Sequence, residues 1–108
     1  VFDGTLIGFA CLRADTIPRT KHRASLGPFY VAPDHQGAGA ADLLMAACID
    51  TATRQECWLI DLYVAVENPR AIRFYERHGF MHEGRMPAAI VVDDISHDDF
   101  YYCLTLAH

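Results

Sequence analysis

Tyr30-Val31-Ala32-Pro33-Asp34-His35-Gln36-Gly37-Ala38-Gly39-Ala40-Ala41 reads as a strand that turns through small residues directly into a helix. Such a turn exposes successive backbone N–H groups, and the positive end of the helix dipole backs them. A phosphate or pyrophosphate fits there, because small side chains let a ligand approach the backbone. Two glycines before a helix are a weak signal by themselves, and a tight strand-helix turn with no ligand explains them about as well. No Gly-Lys-Ser/Thr follows, so the stretch is not a Walker loop, and its spacing differs from that of the dinucleotide fingerprint.

Downstream the apolar period becomes helical. Ala40, Leu43, Leu44, Ala47 and Cys48 fall at i, i+3, i+4, i+7 and i+8, predicting a helix from residue 38 to about residue 55. Residues 58–66 are nearly continuously apolar, as in a central strand covered on both faces, with Asp61 the exception. Asn68 is a good N-cap, Pro69 suits the first helical position, and Gly79 stands where a left-handed cap closes a helix over residues 69–78.

Upstream, residues 5–13 alternate as a strand behind the turn signal Asp3-Gly4, and residues 14–23 read as an exposed connection. Residues 26–32 resume as strand, with Gly27-Pro28 marking a bulge or a splayed neighbour. Residues 80–84, 88–92 and 100–106 read as further strands, the last two separated by an acidic turn over residues 93–99. Phe100, Tyr101 and Tyr102 fit a strand with one buried face better than a stacking platform. The order β, β, α, β, α, β, β describes an α/β or α+β sandwich with a mixed sheet.

At 108 residues the chain is expected to form one domain, 1–108, and its 52% hydrophobic content is enough to bury roughly two thirds of the unfolded surface. A net charge of −5 leaves no electrostatic footprint for nucleic acid or anionic membrane. It mildly favours a cationic acceptor, although a simply solvated surface accounts for it too. Cys11, Cys48, Cys57 and Cys103 are widely spaced in apolar surroundings and read as reduced core thiols. No apolar run reaches membrane-span length and no charged-then-apolar leader opens the chain, so a cytoplasmic location is expected. The six histidines, His22, His35, His78, His82, His97 and His108, lack metal-ligand spacing, and no metal is expected. The chain opens on Val1-Phe2-Asp3-Gly4, already inside a hairpin, so something upstream is expected to be missing.

With these segments in place, Val31-x-Pro33 followed by Gln36-Gly37-Ala38-Gly39-Ala40-Ala41 resembles the signature of the GNAT acetyltransferases, in which Gln or Arg precedes x-x-Gly-x-Gly/Ala. Asn68-Pro69-Arg70-Ala71-Ile72-Arg73-Phe74-Tyr75-Glu76-Arg77-His78-Gly79-Phe80 resembles the family's second motif: Asn-x-x-Ala, then Phe-Tyr, then Gly-Phe. The resemblance runs from Thr5 onward and does not include the strand and two helices with which the family usually begins. It implies an N-terminally shortened, GNAT-like mixed central sheet with helices on its faces. A natively short member, a wall supplied by a second chain, and a fragment all fit that shortening.

The resemblance further implies acetyl-CoA as co-substrate, its pyrophosphate held by Gln36, Gly37, Ala38, Gly39, Ala40 and Ala41. It places the pantetheine arm between splayed strands, along the Tyr30-Val31 backbone and toward Asn68, and a peptide N–H near residues 29–31 then polarises the thioester carbonyl. Tyr75 matches the general acid that protonates the departing thiolate; a core tyrosine is the plainer account of the same residue. Asn68 is equally well explained as a cap.

The base is less defined. Family members often carry a Glu on either central strand, whereas the corresponding positions here hold Gly27-Pro28 and Tyr63. Asp61 shares a strand face with Tyr63 by alternation, and its apolar run suits it to proton removal through water. An Asp satisfied by a neighbouring strand or loop explains it as well, and His35 and Glu67 are weaker candidates.

The expected activity is therefore N-acetylation of a small-molecule or peptide primary amine by direct attack. The alternative is a catalytically inactive CoA-binding regulatory or scaffold module, and a purely structural protein without CoA affinity ranks third. An unpaired edge at residues 5–13 and an uncovered sheet face predict a homodimer.

Overall fold

A computed structural model describes residues 8–14, 18–31 and 39–106 of the chain. The elements are β1 (Gly8–Ala14), β2 (Arg23–Val31), α1 (Ala40–Arg54), β3 (Leu59–Ala65), α2 (Pro69–Arg77), β4 (Met81–Val92) and β5 (Ile95–Thr105). Their order is the expected β, β, α, β, α, β, β, except that the separate strands expected over residues 80–84 and 88–92 are the single bulged strand β4; the strands form a mixed five-stranded sheet in the order β1-β2-β3-β5-β4. The chain divides into two compact units, one running to Ile60 and resuming at Leu106, the other covering Asp61–Thr105.

In the first unit β1 and β2 pair antiparallel, from Gly8 opposite Val31 to Ala14 opposite Ala24. The register shifts between Ala10, opposite Phe29, and Leu12, opposite Leu26. Gly27 and Pro28 therefore face the single residue Cys11, which is the bulge the Gly-Pro pair predicts; there the missing proline N–H costs no ladder bond. Helix α1 packs on β1 and β2. Its buried residues are Met45, Cys48 and Ala52, while Leu43 is 74% exposed. Of the expected stripe Ala40, Leu43, Leu44, Ala47 and Cys48, Cys48 alone is buried and the buried face is turned toward Met45 and Ala52, because residues 43–49 are apolar throughout and leave the period free to choose. Ala24, Leu26, Cys57, Ile60 and Leu106 complete this core. The Trp58 N–H donates to the His22 carbonyl at 2.7 Å, and the Trp58 carbonyl accepts from Leu106 N–H at 2.7 Å. The Trp58 ring lies 5.3 Å from that of His22.

In the second unit Leu62 and Val64 of β3 are buried and Tyr63 between them is exposed. Helix α2 is punctuated as expected: Asn68 Oδ1 accepts from Ala71 N–H at 3.2 Å, Pro69 is the first helical residue, and Gly79 adopts φ +95° just beyond the His78 cap. Tyr102 of β5, nearly fully buried, donates its O–H to Glu76 of α2 at 2.8 Å. Strands β4 and β5 make a long antiparallel hairpin. The acidic turn expected over residues 93–99 is only Asp93-Asp94, with φ +51° and +64°, the two positive values of a type I′ turn. Asp98 and Asp99 instead sit in β5. Asp98 fits there because β4 bulges between Met86, opposite Asp99, and Ile90, opposite His97. Its carboxylate closes the bulge, accepting from Ala88 N–H at 2.9 Å and from Arg85 Nε and Nη2 at 2.8 and 2.6 Å.

Candidate functional site

The glycine-rich stretch is described only in part. Gln36, Gly37 and Ala38, together with His35, lie outside the described residues. Tyr30 and Val31 end β2, opposite Phe9 and Gly8. Gly39 is the N-cap of α1, with φ +83° and no side-chain cap bond. A side chain here would be strained by that φ, although the space around it is open: no atom lies within 4 Å of the position a Cβ would take. The Gly39 carbonyl accepts from Leu43 N–H at 3.0 Å, so the helix starts at once, with only methyl groups on Ala40 and Ala41. A helix N-terminus of this form holds about half a unit of positive charge and can receive an anion's oxygens.

Asn68 and Tyr75 stand two turns apart on α2, and that spacing returns both to one helix face. Tyr75 is half-buried, its ring edge-on to Phe74 at 5.5 Å and to Phe80 at 5.8 Å. Burial pushes its phenol above the usual tyrosine range. The side chain is therefore protonated at neutral pH and can act as a proton donor.

Asp61 is buried at 8% exposure, and its Oδ2 accepts the Tyr101 O–H at 2.6 Å. Tyr63, two residues along β3, stacks at a tilt on Tyr101 with ring centres 4.9 Å apart. The shared face expected of Asp61 and Tyr63 thus converges on one β5 residue, which sequence reading had assigned only to a strand. Burial, then the bond to Asp61, then Cys103 hold the Tyr101 phenol far above its ordinary value. Beside this pair opens a groove of about 320 Å³ lined by Tyr63, Gly84, Arg85, Met86, Pro87 and Tyr101. No local signal singles out Tyr101 from Phe100 and Tyr102, because its partner is 40 positions away. Glu67 is engaged elsewhere, 2.7 Å from His97 Nδ1.

Among the described residues no three His, Cys, Asp or Glu side chains are grouped so as to hold a metal ion. None of the described helices is long and apolar enough to cross a membrane. Cys48, Cys57 and Cys103 form no disulfide among the described residues, and burial raises the thiol pKa of Cys48.

Residues 1–80 match the model of the acetyltransferase (GNAT) family. Spermidine N(1)-acetyltransferase of Vibrio cholerae is 41% identical over 66 residues, which make up 60% of this chain and 38% of that protein. The Salmonella typhimurium protein yncA, solved with its cofactor acetyl-CoA, is 25% identical, with a TM-score of 0.84 over 96% of this chain and 60% of that one. The ribosomal-protein-S18-alanine N-acetyltransferase of Escherichia coli superposes with a TM-score of 0.85 at 23% identity, covering 100% of this chain and 66% of that one. The chain thus spans less than two thirds of the length of the curated relative and about two thirds or less of the solved chains.

Proposed function

This chain belongs to the GNAT acetyltransferase family, and from that premise we propose that it is an acetyl-CoA-dependent N-acetyltransferase moving an acetyl group to a primary amine by direct attack. The observation that carries the reading is the N-terminus of α1, opened by left-handed Gly39 with no side-chain cap, immediately after Gln36-Gly37-Ala38. Those residues with Ala40 and Ala41 hold the pyrophosphate, and the Tyr30-Val31 backbone and Asn68 hold the pantetheine arm. Acetyl-CoA supplies the activated acetyl thioester. The spermidine named for the Vibrio cholerae relative supports an alkyl amine as acceptor.

The amine nitrogen forms its bond to the acetyl carbon as the C–S bond breaks, the sulfur leaves as thiolate, and the nitrogen's surplus proton is lost through solvent, from which the Tyr75 phenol is restored after its own proton has gone to sulfur. Tyr75 passes its phenolic proton to that sulfur. A phenol at ~10 or higher gives its proton to a thiolate near ~8.5 at a cost of about 2 kcal/mol or more, so the transfer must accompany C–S cleavage at close range. Burial keeps Tyr75 protonated, and by raising its pKa it adds to that cost.

Calorimetric titration with acetyl-CoA, followed by assay of free thiol with a panel of amines, tests the reading. Binding and turnover are expected, with Tyr75→Phe slower by roughly 10²-fold or more. Full turnover by that variant would remove Tyr75 from the chemistry, and absence of binding would remove the whole reading. A second reading, a CoA-binding module without turnover, draws on the engagement of the Asp61 carboxylate by Tyr101; binding without thiol release selects it. We also assign the enzyme to the cytoplasm as a homodimer. Exposed Ile90, Val91, Val92 and Ile95 on the β4-β5 hairpin support the dimer, and a monomer in light scattering would refute it.

A further inference from the structure

We infer that the groove beside Tyr101 receives the acceptor as a protonated alkyl amine, and that Tyr101 removes its proton by relay to Asp61. The inference rests on the N-acetyltransferase reading and supplies the base that reading lacks. Asp61 is too buried to meet an amine itself, but its Oδ2 accepts the Tyr101 O–H at 2.6 Å and Tyr101 lines the groove. A phenol oxygen that donates its proton can still accept another. An ammonium N–H in the groove therefore finds an acceptor polarised by the carboxylate behind it.

The other walls suit the same guest. Tyr63, half exposed and 4.9 Å from Tyr101, offers an aromatic surface to a cation, and Met86 and Pro87 offer apolar surface to an alkyl chain. The remaining groove cation, Arg85, is drawn onto Asp98 through two bonds to one oxygen, which offsets the charge that would repel an ammonium. Among the described residues, the titratable and charged groups facing the relay include Asp61 and Tyr63 from β3, Arg85 from β4, and Asp98 and Cys103 from β5. Tyr101 stays a neutral phenol, as a relay requires.

The step balances. One ammonium N–H bond breaks as its proton joins Tyr101 Oη; the original Tyr101 O–H bond breaks as that proton joins Asp61 Oδ2. The products are a neutral amine, a neutral phenol and a protonated Asp61, which returns the proton to solvent after acetyl transfer. In water this transfer runs uphill across roughly six pKa units. Met86 and Pro87 narrow that gap on the amine's side, because apolar walls disfavour the charged ammonium.

The test uses the whole chain and two acceptors: butylamine, almost fully protonated at neutral pH, and trifluoroethylamine, largely unprotonated there. With Tyr101→Phe, kcat/KM is expected to fall roughly 10²-fold for butylamine and less than about tenfold for trifluoroethylamine. The butylamine loss should shrink as pH rises. Asp61→Asn should repeat the pattern, and if it fails to fold, Tyr101→Phe decides alone. Equal losses with both amines, unchanged by pH, would overturn the relay while leaving the transferase reading intact; wild-type protein inactive toward every amine would overturn both. Independently of turnover, NMR titration with butylammonium should shift the Tyr63 and Tyr101 ring resonances. Unmoved rings would overturn the groove assignment.

Discussion

Gly79→Ala should destabilise the protein by about 2 kcal/mol. Gly79 follows α2 at φ +95°, where its N–H donates to the Glu76 carbonyl at 3.0 Å and the chain turns into Phe80. An L-residue forced into this left-handed region costs roughly 1–2 kcal/mol. The new Cβ would also lie 3.3 Å from Leu104 Cδ1, so Leu104 must give way by a few tenths of an ångström. At roughly 4–8 °C per kcal/mol for a chain of this size, the melting temperature should fall by about 10 °C. Gly84→Ala is the matched control: its Cβ would meet nothing closer than Tyr101 Cβ at 3.9 Å, and Gly84 has no positive φ. That variant should remain within about 0.5 kcal/mol of wild type. Urea denaturation followed by far-UV circular dichroism measures both, and Gly79→Asn should fall between them because asparagine tolerates the left-handed region. Equal stability of the two alanine variants would refute the reasoning.

On α1, Met45→Ala should cost about 2–5 kcal/mol, since Met45 is fully buried, whereas Leu43→Ala at 74% exposure should cost less than about 0.5 kcal/mol; urea midpoints compare them. The Ala88 N–H, then Arg85, lower the Asp98 carboxyl below its ordinary value. Its contribution is therefore complete above the unfolded pKa near ~3.9 and disappears as pH falls through the folded one, so Asp98→Asn should flatten the acid side of a midpoint-against-pH curve. Burial and then Glu76 push the Tyr102 phenol up to about 12. Stability from it is complete below the unfolded pKa near ~10 and is lost as pH rises toward the folded value, so Tyr102→Phe should flatten the alkaline side of the same curve, with Tyr101 retaining part of the slope.

Local chemistry was the legible part of this chain. Asn68, Pro69 and Gly79 bound α2 through a cap, a fixed φ and a positive φ, each a property of one residue and its immediate neighbours. Gly27-Pro28 announced its bulge for the same reason. The extent of the β4-β5 hairpin was hidden, because Pro87 and the run of acidic residues argue locally against strand. Asp98 becomes acceptable there through Ala88 N–H and Arg85, 10 and 13 positions away. The groove was less visible still. Alternation brought Asp61 and Tyr63 together, but the residue that joins them comes from β5 and is selected by strand pairing, which no local period records.

The single tryptophan, Trp58, belongs to the first unit, beside His22, while four of the five tyrosines, Tyr63, Tyr75, Tyr101 and Tyr102, belong to the second. The two halves of the chain therefore carry separate optical labels without any engineering. Indole emission during denaturation follows the half that holds α1, and tyrosine near-UV signals follow mainly the half that holds the β4-β5 hairpin. Coincident curves mean one cooperative transition, and displaced curves mean that either half can melt while the other stands.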